Sequence, residues 1–121
     1  MSTLFGVKNA EGTSRAMLFF ETHPLPSFLV NRSNLRIVAV NKAGATLMQS
    51  TSTELQRLAF TDLLVNADKA KASAELQRST VDSSWHTIVQ VQKSNAEMLA
   101  AEMHVQTLIN GNDVLHQIRS S

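Results

Sequence analysis

Apolar and polar positions along this chain follow two rhythms, and the rhythm changes twice. In Ser27 to Asn31, Phe28 and Val30 share one face of an extended segment, and Leu35 to Val40 forms a second such segment. There Leu35, Ile37 and Ala39 are expected to face one way and Val38 and Val40 the other, so both faces are at least partly covered. Asn31-Arg32-Ser33-Asn34 between them is a turn, because Asn tolerates left-handed backbone and Ser supports turns through its hydroxyl. In the middle third the period lengthens. Asn41 is placed to cap a short helix through Met48, on which Ala43 and Leu47 share a face. Thr51 and Glu54 have capping-box spacing for a second short helix. A third helical piece is expected at Phe60 to Leu64, and Asp68 is read as the cap of a longer helix from Lys69 to Ser79.

The last third returns to period two. Trp85, Thr87, Val89 and Val91 alternate with His86, Ile88, Gln90 and Gln92. After a polar reversal at Lys93 to Glu97, an apolar stripe runs through Leu99, Ala101, Met103, Val105, Thr107 and Ile109. Asn110-Gly111 then reads as the two central residues of a hairpin turn, and Val114 to Arg119 as the final strand. At the other end, residues 1–14 read as a lead-in and 15–121 as the domain. A loose helical turn is expected at Leu4 to Val7, and Thr13 or Ser14 is expected to cap a flanking helix that Pro24 ends near Thr22. Phe19 and Phe20 are adjacent, so one packs on the domain's own sheet or contacts another chain, together with Leu4, Phe5 or Met17. The order is strand, strand, short helices, then three strands joined by hairpins: an α+β domain.

Composition narrows the function classes. A chain of 121 residues is enough for one domain with a substantial core. A net charge of +1 gives little steering toward phosphate backbones, which argues against a nucleic-acid binder. With no cysteine there is no disulfide, thiolate metal site, iron–sulfur cluster or Cys nucleophile, and a reducing compartment fits. No apolar run approaches the roughly 20 residues a spanning helix needs. The start lacks a secretion signal, so the cytoplasm is the expected location. The apolar pattern runs nearly to the last residue, through Val114, Leu115 and Ile118, as expected of a segment of a longer protein.

The same residues resemble the PAS domain family, the sensor modules of signalling proteins. Ile37-Val38-Ala39-Val40-Asn41-Lys42-Ala43 resembles that family's second strand running into its first helix. Thr51-Ser52-Thr53-Glu54-Leu55 resembles the start of the next helix, Asn66-Ala67-Asp68 the start of the long helix, and Trp85 the aromatic that opens the third strand. The resemblance covers Met17 to Arg119. Two departures are present: Gln117-Ile118-Arg119 stands where the family often has Asp-Ile-Thr, and the first turn has Asn31 and Asn34 in place of Asp and Gly. The resemblance implies a five-stranded antiparallel sheet in order 2-1-5-4-3, with short helices enclosing a small apolar chamber on one face and an N-terminal flanking helix. It also implies a sensory or regulatory module of a histidine kinase or cyclic-dinucleotide enzyme, which binds a small ligand, forms a homodimer and drives a downstream effector domain. A non-sensing interaction module on the same fold is the alternative.

The expected chamber lining is Phe28, Val30, Leu47, Met48, Leu64, Val89, Val91, Met103, Val105 and Leu115, with His116 within reach. A packed core and a ligand pocket call for the same residues. Met48 and Met103 are adaptable enough for either. The cofactor stays undetermined. A covalent flavin and a Cys-linked chromophore are excluded by the missing thiol. Haem is disfavoured because Lys69 to Ser79 contains no His, and a non-covalent flavin stays open. Trp85 is read as core rather than as a stacking platform. No pair among His23, His86, His104 and His116 has helical zinc spacing, so no metal site is expected. No two carboxylates are forced together by their spacing, and no phosphate loop or nucleophile elbow appears, so the domain is not read as an enzyme.

Overall fold

The structure, a computed structural model, describes residues 18–120. Strands β1 (Ser27–Asn31), β2 (Ile37–Val40), β3 (Ser84–Gln92), β4 (Met98–Asn110) and β5 (Asp113–Ser120) form one antiparallel sheet in order β2-β1-β5-β4-β3. Between β2 and β3 the chain makes α1 (Lys42–Met48), α2 (Ser52–Leu55), a 3₁₀ turn (Phe60–Leu63) and α3 (Asn66–Arg78). These cover one face of the sheet, and residues 18–22 form a helical turn ahead of β1. The expected helix start at Thr13 or Ser14 and the turn at Leu4 to Val7 lie outside the described residues.

Asn41 ties the covered end together. Its Oδ1 accepts from Gly44 N at 2.8 Å, capping α1, and from Ser27 N at 2.9 Å, at the head of β1. Its Nδ2 donates to the carbonyls of His23 (3.2 Å) and Leu25 (3.0 Å), fixing the segment that leads in. All of this happens at a residue with no exposed surface, where each unmade bond would be costly. Gly44 stands where a helix touches the sheet: a Cβ there would lie 2.7 Å from Val40 Cγ2. The capping box at α2 forms as its spacing predicts, with Thr51 Oγ1 accepting from Glu54 N and Glu54 Oε1 accepting from Thr51 N, both at 3.1 Å. The Thr51 N–H, first, and its hydroxyl hold the Glu54 carboxyl below its ordinary pKa.

Several local expectations are corrected. The second strand begins at Ile37, not Leu35. Leu35 takes φ of 60° and its N–H closes the turn onto Asn31 O at 2.7 Å. That left-handed backbone costs about 1–2 kcal/mol, offset by burying the Leu35 side chain to 4% exposure. The alternation assigned to β2 also fails. The register runs Leu29 to Ala39 and then Val30 to Ile37, so Val38 is the extra residue of a bulge. Ile37 and Val40 therefore both enter the main core, whereas Ala39 and Val38 pack with Phe20 and Leu29 on the opposite face. The choice between the two phenylalanines is settled by the same contact: Phe20 is buried against the sheet and Phe19 is exposed.

Asp68 does not cap α3. The helix begins at Asn66, and Asp68 in its first turn accepts from Gln90 N of β3 at 2.8 Å, tying helix to sheet. The last hairpin pairs Asn110 with Asp113, so its central residues are Gly111 and Asn112 rather than Asn110 and Gly111. Gly111 takes φ of 65°, as a Gly-first two-residue hairpin requires.

Candidate functional site

The helices and the inner face of the sheet meet in one apolar core. Phe60 from the 3₁₀ turn sets its ring edge-on to Phe28 of β1, centroids 5.5 Å apart. Beside them is a cavity of about 20 Å³, lined by Phe28, Leu47, Met48, Phe60, Leu63, Val91, Ala101, Met103, Ile118 and Ser120. That is about the space one water needs, and the lining offers a single polar residue. The chamber is therefore closed and packed. Of the residues expected to line it, Phe28, Leu47, Met48, Val91 and Met103 do so. Val30, Leu64, Val89 and Val105 lie in the same core without facing the cavity.

Leu115 is on the other side of the sheet. Thr107 pairs with His116 and Val105 with Ile118 on the inner face, so Leu115, paired with Leu108 and Asn31, points outward by strand alternation. It is nevertheless buried, at 2% exposure. His116 has the inner orientation but lies away from the cavity. Its Nδ1 shares a hydrogen bond with Thr107 Oγ1 at 2.9 Å and its Nε2 has no partner. Burial, first, and the nearby Arg32 charge lower its pKa, against an opposing pull from the Leu76 backbone.

Phe60, Leu63, Ala101, Ile118 and Ser120 line the cavity without having been assigned to it. Ala101 lies next to Met103 on the period-two stripe, and Phe60 and Leu63 fall inside the expected third helical piece, so the pattern held the signal for these three. Trp85 has a structural role: its Nε1 donates to Ser79 Oγ at 2.8 Å, joining the start of β3 to the end of α3.

Met48 and Leu63 also belong to the wall of an outer groove of about 340 Å³, between α1, α2, the 3₁₀ turn and the β3–β4 hairpin. The hairpin is latched there. The single Ser94 hydroxyl proton is shared between the carbonyls of Gln49 (2.6 Å) and Met48 (2.8 Å), and Ser94 N also donates to Met48 O at 3.2 Å, satisfying groups left open where α1 ends. Asp62 and Lys93 lie on the rim, and Lys93 pairs with Glu97 at 3.2 Å. Met48 and Leu63 thus line both the inner cavity and the outer groove. Among the described residues no group of three or more His, Asp or Glu is arranged to hold a metal ion, and no helix is long and apolar enough to cross a membrane.

No protein-family model matches the sequence, and no curated protein matches it significantly. Solved structures do match in shape. A PAS domain of an HTR-like protein from Haloarcula marismortui superposes with a TM-score of 0.81 at 15% identity, over 92% of this chain and 91% of that one. A PAS domain from a two-component sensor histidine kinase gives 0.81 at 14% identity, over 94% and 98% of the two chains. A domain of a sensory box sensor histidine kinase/response regulator from Geobacter sulfurreducens gives 0.77 at 21% identity, over 96% and 100%. With its sheet order, its helices packed over one face and its small closed chamber, this chain has the PAS fold.

Proposed function

We propose that this chain is a sensory or regulatory module of a cytoplasmic signal-transduction protein, with residues 15–121 as the domain. Its effector is a histidine kinase or a cyclic-dinucleotide enzyme. The observation that carries this reading is the fold together with Met48 and Leu63, which line both the cavity and the outer groove. A small apolar ligand enters by displacing the flexible Met48 side chain, which widens the chamber and shifts the helices against the sheet. The shift leaves through β5, whose Ile118 and Ser120 touch the cavity. Such a ligand acts only by binding the two packings with different affinity. The module works as a homodimer, and its own residues carry out no catalysis.

The test is a cavity-filling substitution, Ala101→Val, small enough for a chamber of about 20 Å³, in the full-length signalling protein. The expected result is a folded protein whose output no longer responds to the stimulus. A response equal to wild type overturns the ligand route. Native mass spectrometry of the purified chain, with an absorption spectrum, reads subunit count and any retained molecule. A monomer with nothing bound and no stimulus dependence leaves the second reading, a non-sensing interaction module. The small volume of the chamber is the observation that favours that alternative.

A further inference from the structure

His116 is a buried titratable group that a ligand in the chamber does not need. It has no exposed surface, and it lies on the inner face of β5 beneath the C-terminal turn of α3. Ser83 Oγ donates into Thr107 Oγ1 at 3.4 Å, which leaves the Thr107 hydroxyl proton available to His116 Nδ1. This arrangement suits a neutral ring with its proton on Nε2. Nε2 then faces the turn of α3 at Leu76 without a hydrogen bond of good geometry. The next peptide along α3 is held by the β1–β2 turn: Arg32 Nε and Nη2 both donate to Gln77 O at 3.3 Å. Arg32 has the sign of an imidazolium and acts on His116 through space. Elsewhere on the packed elements, Glu75 and Arg78 of α3 pair with each other at 3.7 Å, and Asp82 and Asp113 are exposed at neighbouring turns. β4 contributes only the neutral Thr107 to this contact.

We propose that protonation of His116 releases the C-terminal turn of α3 together with the β1–β2 turn, making this end of the domain an acid-responsive element. Charging the ring puts its second proton on Nδ1, where the Thr107 hydroxyl must stop donating and accept instead, and leaves a dry imidazolium near Arg32. The Leu76 backbone opposes this only in part, so the charged ring is destabilised relative to the same ring in an opened, hydrated end. The closed form therefore binds fewer protons than the opened one. It is fully favoured above the ordinary histidine value of about 6.5 and loses ground as pH falls below it. The proton is the effector and the chamber is not involved, so failure of this element leaves the ligand reading untouched.

The test is amide hydrogen exchange by NMR on the full chain, normalised for intrinsic exchange. Between about pH 7.5 and about pH 5.0, the opening of residues 74–78 and 31–34 should rise roughly tenfold to thirtyfold, while the centre of the sheet changes little. His116→Asn keeps a polar atom near Thr107 and should abolish the rise. The same rise in His116→Asn overturns the proposal, and so does an equal rise across the whole sheet. If that variant fails to fold, the wild-type ring decides. A ring titrating below about 6.5 in step with the Leu76 and Gln77 amides supports the proposal, and a ring titrating at about 6.5 with those amides still overturns it.

Discussion

The two halves of the sheet obey different rules. In the β2–β1–β5 half both faces are covered: Phe28 and Val30 enter the main core, while Leu29 and Ala39 pack against Phe20 on the reverse. In the β4–β3 half only the inner face is covered. There Met103 and Val105 are buried, while Ile88 is 68% exposed among His86, Gln90, Glu102 and His104. The inner core spans both halves, so the difference lies wholly on the outer face. A strand with two covered faces reads as a near-continuous apolar run, and a strand with one reads as strict alternation. β1 (Ser-Phe-Leu-Val-Asn) and β3 (Ser-Trp-His-Thr-Ile-Val-Gln-Val-Gln) show the two textures in one sheet.

The largest expected effect lies where the halves meet. Phe60→Ala removes a fully buried ring from the wall of an already closed cavity and should cost about 3–5 kcal/mol in urea unfolding. A loss under about 1 kcal/mol would mean that the helices are not packed on the sheet as described. Next comes the outer face of the doubly covered half. Leu29→Ala should cost about 2–5 kcal/mol, because Leu29 has no exposed surface. Asn41→Ala removes a helix cap and leaves the buried Ser27 N–H without a partner, for about 2–4 kcal/mol in all. Asn41→Asp keeps both acceptor contacts but turns the Nδ2 donor into a carboxylate oxygen facing the carbonyls of His23 and Leu25 at a residue with no exposed surface, and should cost at least as much as Asn41→Ala. The smallest effect belongs to the singly covered half: Ile88→Ala should stay within about 0.5 kcal/mol of wild type. Equal losses for Leu29→Ala and Ile88→Ala, measured by thermal or urea unfolding, would erase the distinction between the halves.

Much of this contrast is legible in residue order. Phe28, Val30, Met103 and Val105 fall inward because period two leaves no other arrangement once one face is buried. The failures have identifiable causes. Val38 upsets the alternation of β2 because a bulge adds one residue to one strand, and only the partner strand reveals it. Asp68 has the residue type of a cap, yet the backbone N–H of Gln90 on a strand 22 residues away claims its carboxylate. Leu115 is as apolar as a chamber residue should be, but its parity in β5 puts it on the outer face. The hairpin turn moved by one residue because Gly111 can occupy either central position and the strand register chose the first.

Residue order alone sets the kinds of element and their succession along the chain. It also sets the caps at Asn41 and Thr51, because these depend on residues three positions apart and on bonds made within one turn. Tertiary structure decided what depends on distant partners: the bulge, the face on which Leu115 is buried, the closing of the chamber by Phe60 and Ile118, and the orphaned nitrogen of His116 under α3. Local propensity acts within a few residues of backbone. Burial and pairing are settled only when strands far apart in sequence lie side by side, and the residues that meet there carry no mark of that meeting in their own neighbourhood.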